Sequence, residues 1–312
     1  MSPFQERKRL QSVRNIPSAP PSSQKLLITG ASGFLGWHLC QAAQMNWQVF
    51  GTTHSHSVQV PGCSMIPLDL RDFARVKQVL QTVQPNAVIH AAAQARPHIC
   101  QMEPQSTFAI NVEASWSLAG LCADQQIPLV FVSTDLVFDG HRPPYTESSA
   151  VSPVNHYGEQ KVAAEQGMRQ RYPQVVVARM PLMFGCVPYA DSFIQALMQN
   201  LRSHHPLQLF EDEFRTPVSG MDAAYGLLLA LEQGKVCLHL GGPERLSRYE
   251  MGQQLADVLG CSNTLLAGCS QKDVSLATPR PADVSLDSSL AFSLGYAPQS
   301  FLSGLKRLFA NP

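Results

Sequence analysis

Leu26-Leu-Ile-Thr29-Gly30-Ala-Ser-Gly33-Phe-Leu-Gly36 decides how the rest of the chain is read. A short apolar run meets three glycines spaced three apart. From Phe34 to Gln44 the apolar positions Leu35, Leu39 and Ala42 then recur on one helical face. A strand, a glycine-rich turn and a helix in that order form a cradle for phosphate groups. Gly30 permits the tight turn, Gly33 lets the backbone approach a diphosphate, and Gly36 lets helix and strand pack closely. The helix N-terminus adds free amides and a partial positive charge. Ser32, Phe34 and Leu35 complete the contact residues expected of this cradle. The same glycine spacing also occurs in tight turns that hold no ligand.

Downstream, short apolar runs alternate with helical periodicity. Strands are expected over Gln48 to Thr53, Met65 to Leu68, Ala87 to His90, Leu129 to Ser133 and Val175 to Ala178. Phe73, Val76, Leu80 and Val83 recur at helical spacing. Ser106 to Cys122 reads as one long helix and Tyr157 to Arg171 as another. Near-continuous apolar strands are buried on both faces, which implies a parallel sheet covered by helices on each side. The fold class is therefore α/β, a Rossmann-type doubly wound parallel sheet with a smaller C-terminal substrate-binding lobe. Ligands in such sheets bind at the carboxyl ends of the strands, and Gly30, His90, Thr134 and Arg179 all fall there.

After Met180 prolines interrupt the pattern. A helix over Asp191 to Leu201, a strand over Leu207 to Phe210, a helix over Met221 to Leu231 and a strand over Val236 to Leu240 are expected. Ser247 with Glu250 makes a capping box for a helix to Leu259, and Ser300 caps Phe301 to Phe309. The division expected is a flexible extension over residues 1–24, a dinucleotide-binding domain over 25–180 with 219–240 also packed on it, and the smaller lobe over 181–218 and 241–312.

With 312 residues, 45% hydrophobic and 15% charged, the chain has material for a substantial core. Its formal net charge is zero, so neither nucleic acid nor an anionic membrane is an expected partner. The eight cysteines show no C-x-x-C pair and read as reduced core residues of a cytoplasmic protein, with no metal site. Residues 1–24 lack the apolar segment of a secretory signal, although their four basic side chains also fit a transit peptide. No apolar run is long enough to span a bilayer.

A carboxylate after the second strand would bond a ribose 2′-hydroxyl. Thr52-Thr53-His54-Ser55-His56-Ser57 holds none. Its hydroxyls and imidazoles, Thr53, His54 and Ser55 in particular, suit a 2′-phosphate, which points to NADP(H) over NAD(H). No Arg or Lys stands in that stretch to pair with the phosphate. Asp69, followed by Leu70, is placed to bond the adenine amino group, or else to cap the next helix. Ala91, Ala92 and Ala93 leave room for a cofactor across the sheet. Asn111 supports the backbone near the fourth strand or a water near Lys161, or else is simply solvated.

Tyr157-Gly158-Glu159-Gln160-Lys161 puts a phenol and an ammonium one helical turn apart. With Thr134 at the end of the fifth strand they suit a ketone reduction. Thr134 would donate a hydrogen bond to the carbonyl oxygen and Tyr157 the proton, with Lys161 lowering the phenol's pKa from near 10. Each residue alone has an ordinary structural explanation. Their joint occurrence after a glycine-rich turn does not.

These residues make the chain resemble an extended short-chain dehydrogenase/reductase. Ser133-Thr134-Asp135-Leu-Val137-Phe138-Asp139-Gly140 resembles the S-T-D-Y-V-F-D-G signature of dTDP-4-dehydrorhamnose reductases, and Tyr157 to Glu165 matches Y-G-x-x-K-x-x-x-E. Arg280-Pro281 to Leu286-Asp287 resembles the family's C-terminal R-P-x-x-S-x-L-D element. The resemblance implies Thr134, Tyr157 and Lys161 as catalytic residues, NADPH as reductant, and Ser133 and Met180 as further cofactor contacts. It implies a nucleotide sugar as substrate, bordered by Arg96, Asp135, Val137, Phe184 and Arg215, in the pathway of dTDP-rhamnose synthesis. A homodimer is the assembly it suggests. Leu136 stands where the family has tyrosine, and the run from Gln94 to Glu103 departs from T-x-V-D-x-A-E, so the sugar itself is open. Two alternatives remain at this point. The same triad serves reduction of another carbonyl or an epimerisation. The regulatory β-subunit of methionine adenosyltransferase is similar to this family too, which would make the chain a dinucleotide-binding partner protein.

Overall fold

The computed structural model describes residues 24–55, 58–188, 190 and 192–310. Apart from Gln24, the expected N-terminal extension lies outside the described residues, as do His56, Ser57 and Asp191.

The first half alternates as the apolar pattern demands: β1 (Lys25–Thr29), α1 (Phe34–Ala43), β2 (Gln48–Thr53), β3 (Ser64–Pro67), α2 (Phe73–Val83), β4 (Ala87–His90), α3 (Pro97–Met102), α4 (Pro104–Phe108), α5 (Ala114–Asp124), β5 (Leu129–Thr134), α6 (His156–Arg171) and β6 (Val176–Met180). The second half adds β7 (Met183–Phe184), α7 (Phe193–Arg202), β8 (Leu207–Phe210), β9 (Phe214–Arg215), β10 (Val218–Ser219), α8 (Gly220–Gln233), β11 (Cys237–His239), β12 (Leu246–Ser247), α9 (Arg248–Leu259), β13 (Leu266–Cys269), α10 (Ser289–Ser293) and α11 (Phe301–Ala310).

Seven strands form one parallel sheet in the order β11-β6-β5-β4-β1-β2-β3. Strands β4, β5 and β6 are buried at every position, as their unbroken apolar runs require. One core fills one face between the sheet and α1 and α8, where Leu39, Leu26 and Leu227 are fully enclosed. A second fills the other face beneath α2, α5 and α6, around Leu80, Phe131 and Met168. A separate apolar cluster around Phe184, Ile194, Leu255 and Phe301 holds α7, α9 and α11 together. No helix among the described residues is long and apolar enough to cross a membrane.

Strand order reverses between β1 and β4, which opens a crevice at their carboxyl ends. Register brings Thr29 beside His90 and Thr134 beside Met180 at that edge. Gly30 takes a left-handed φ of 73° to turn the chain out of β1. Gly36 packs so tightly on the Gly30 carbonyl that a Cβ has no space.

The long helix expected over Ser106 to Cys122 is interrupted. Ala109–Glu113 is a π-turn between α4 and α5. The widened turn carries Asn111 inward, where it is 1% exposed. Its Oδ1 accepts from the Gln94 amide at 2.8 Å, and its Nδ2 donates to Gln160 Oε1 at 2.7 Å. Asn111 thus braces the backbone beyond β4 and is not solvated. Both predicted caps form: Ser247 and Glu250 make the capping box, and Ser300 Oγ accepts from the Ser303 amide. The expected strand over Val236 to Leu240 is β11, at the sheet edge beside β6.

Candidate functional site

Two cavities meet along the carboxyl edge of the sheet. The first, of about 610 Å³, runs from the glycine-rich turn to Thr134, Tyr157 and Lys161. The second, of about 480 Å³, runs from the same turn to Thr53, His54, Ser55 and Asp69. Gly30, Gly33, Ala91 and Ala93 line both, so the two form one elongated crevice over the strand-order reversal. At its middle, Gly33 caps α1 without a side-chain hydrogen bond, which leaves the first-turn amides to a ligand. Diphosphate chemistry fits that point, and a dinucleotide fits the crevice.

At the first end, β5 supplies Ser133 and Thr134 while α6 supplies Tyr157 and Lys161. The α6 N-terminus is fixed by Asn155, whose Oδ1 accepts from the Gly158 amide at 2.9 Å. Thr134, Tyr157 and Lys161 are each less than a tenth exposed. Lys161 Nζ donates to the Val132 carbonyl at 2.6 Å and lies 4.1 Å from the centre of the Phe131 ring. Burial lowers its pKa to about 7, against the opposing pull of Glu165 and Cys100. Burial also pushes the Tyr157 phenol well above its usual value; the Cys100 and Asp135 charges add to this and a hydrogen bond with Thr134 opposes it.

Lys161 shares a helical face with Tyr157, one of its three N–H groups is taken by the Val132 carbonyl, and burial is the largest influence on the phenol. Thr134 Oγ1 donates to Asp135 Oδ1 at 3.1 Å and accepts from the Leu136 amide at 3.2 Å.

Opposite the triad, the segment after β8 builds an ion cluster. Arg215 Nη2 lies 3.2 Å and Arg248 Nη2 2.8 Å from Glu213 Oε1, with Arg280 Nη1 3.4 Å from Glu213 Oε2. Arg215 Nε also lies 3.5 Å from Asp135 Oδ2, an atom with no hydrogen-bond partner among the described residues. Burial alone would raise the Glu213 carboxyl, but the Arg248, Arg215 and Arg280 guanidinium groups together hold it at about 2. Asp135 keeps a raised pKa because burial outweighs Arg215. Three cations meet two carboxylates here, so the wall is suited to an anionic ligand.

Of the residues singled out in the sequence, Phe34, Leu35, Ser133, Asp135, Met180 and Arg215 line the first cavity. Ser32, Thr53, His54, Ser55, Asp69, Leu70 and Ala92 line the second. Asn111 lines neither. Val137 is also a correction: it packs with Phe138, Tyr145, Val284 and Leu286, because the short 3-10 turn after β5 directs it into the protein. Phe184 stacks edge-on against Phe301 in the apolar cluster that holds α7, α9 and α11, since its ring is the largest apolar group β7 offers. Arg96 is exposed at the start of α3, and Pro97 and His98 border the cavity in its place. Asp69 does not cap α2, a task that falls to Asp72. Glu213 falls in the segment Asp212 to Val218 that the family resemblance places at the substrate pocket, whereas sequence reasoning missed Arg248 and Arg71. The capping box at Ser247 was the available signal for Arg248, the residue that follows it.

A family model described as RmlD substrate binding domain matches residues 24–311. Methionine adenosyltransferase 2 subunit beta from Xenopus laevis is 33% identical over 282 residues, covering 88% of this chain and 83% of that protein. A hypothetical dTDP-4-dehydrorhamnose reductase from Sulfolobus tokodaii superposes with a TM-score of 0.79 at 26% identity, over 90% of this chain and 99% of that one. The dTDP-4-dehydrorhamnose reductase of Bacillus anthracis, solved in complex with NADP, has a TM-score of 0.80 at 21% identity, over 93% and 99% of the two chains, and speaks to the fold alone.

Proposed function

The chain belongs to the RmlD substrate binding domain family, and from that membership we propose that it is an NADP(H)-dependent reductase of a keto group on a nucleotide-activated sugar. One observation carries the reading: Thr134, Tyr157 and Lys161 line a single cavity that continues into a glycine-rich diphosphate cradle. The nicotinamide, when bound, supplies the hydride. Tyr157 donates the proton to the carbonyl oxygen, and Thr134 turns its hydroxyl from Asp135 to steady the developing charge there. Lys161 would hold the ribose hydroxyls of the cofactor with the N–H groups that Val132 does not use and, when charged, would favour release of the Tyr157 proton. Arg215, Arg248 and Arg280 hold the diphosphate of the sugar nucleotide through charge-assisted hydrogen bonds.

The test is label transfer. Deuterium from C4-labelled NADPH is expected in the product of a dTDP-4-keto-6-deoxyhexose, read by mass spectrometry. A second reading has its own support in the similarity to methionine adenosyltransferase 2 subunit beta: the chain acts as a dinucleotide-binding subunit of another enzyme. Tight NADPH binding with no label in any keto sugar nucleotide would favour that second reading.

A further inference from the structure

The far end of the second cavity carries a cation that the reaction above does not use. Strands β2 and β3 are parallel neighbours with Thr53 beside Pro67, so their following loops leave the sheet side by side. Arg71, from the loop after β3, thereby lines the cavity with His54 and Ser55 from the loop after β2. Asp69 holds the guanidinium by one edge: Nε lies 3.0 Å from Oδ1, and Nη2 2.7 Å from Oδ2. Nη1 makes no hydrogen bond among the described residues, so its two N–H groups and the second N–H of Nη2 remain to be used. His54 Nε2 lies 3.4 Å from Asp69 Oδ2, and its Nδ1 lies 3.1 Å from Ser55 Oγ, which closes a polar rim across the two loops.

We propose that Arg71, with His54 and Ser55, seats the 2′-phosphate of the adenosine ribose, so that NADP(H) is selected by a residue after β3, with His54 and Ser55 contributed by the loop after β2. This rests on the dinucleotide reading. The ribose of a nucleotide whose diphosphate sits at Gly30 to Gly36 lies beyond the end of β2. There the lining residues Thr52, Thr53, His54 and Ser55 offer no carboxylate to accept a 2′-hydroxyl. The nearby carboxylate, Asp69, is already paired with Arg71 and serves as its anchor. A guanidinium fixed on one edge and open on the other suits a phosphate dianion, and it gives an uncharged hydroxyl little.

Isothermal titration of the full chain with NADP+, NAD+ and adenosine 2′,5′-bisphosphate tests the assignment. The wild type is expected to bind NADP+ at least tenfold tighter than NAD+. Arg71→Gln is expected to lower the ratio of the two affinities about tenfold or more and to weaken the bisphosphate in parallel, while Arg71→Lys restores part of it. Retained NAD+ binding reports that the variant is folded. If both dinucleotides bind and the ratio is unmoved by Arg71→Gln, the role of Arg71 is overturned and the dinucleotide reading stands. If neither binds the wild type, both fall.

Discussion

Lys161 shows how burial and function pull against each other at one side chain. Its ammonium is enclosed between α6, the Val132 carbonyl and the Phe131 ring, and burial lowers its pKa from 10.5 to about 7. A base with a depressed folded pKa destabilises the native state wherever the unfolded chain still holds the proton. That cost is full below about pH 7 and fades as pH rises toward 10.5. Lys161→Met removes it. The variant is expected to melt above the wild type at pH 6, with the gap closing as pH rises toward 10; a gap independent of pH would contradict this account of the ammonium. Of the site, Thr134, Tyr157 and Lys161 are legible in the sequence because a strand end and an i, i+4 spacing are local signals. Arg71 is not, because only the pairing of β2 with β3 brings it to His54. Glu213 and Arg248 likewise meet only when β9 pairs with β12, whose partners lie far apart in the chain.

The element that organises the site is α6. Tyr157, Lys161 and Glu165 repeat at four-residue steps along one face, so the third member ties the helix that carries the first two. Glu165 Oε2 lies 2.8 Å from Arg179 Nη2 on β6, and Ser133 Oγ on β5 donates to Oε1 at 2.5 Å. Both partners of the ion pair are nearly sealed from water. Glu165→Gln leaves the Arg179 guanidinium buried without a counterion, which costs about 3–5 kcal/mol. Urea denaturation is expected to register a loss of that size, and a loss under about 1 kcal/mol would mean the pair does not brace α6. At this scale the sequence foretells strands better than helices. Apolar runs such as Leu129 to Val132 have one stable placement, inside a covered parallel sheet. The periodicity of Ser106 to Cys122 cannot distinguish an α-turn from the π-turn at Ala109–Glu113, because the hydrogen bonds Asn111 makes there go to Gln94 in the loop after β4 and to Gln160 in α6, both far away in the chain.

Across the whole molecule, two apolar faces hold a seven-stranded sheet whose order reverses between β1 and β4, and the crevice follows from that reversal. A smaller apolar cluster holds α9, and β9 is tied to it by pairing with β12, so that Arg248 and Arg215 line the same cavity as Tyr157. The reductase reading is a claim that these parts meet at one carbonyl oxygen. The most direct measurement compares wild type and Tyr157→Phe for NADPH oxidation by a dTDP-4-keto-6-deoxyhexose, with NADPH affinity titrated on the same preparations. The account predicts a fall in kcat of about a hundredfold or more with the NADPH Kd within about twofold. A Tyr157→Phe variant that turns over near the wild-type rate would contradict it.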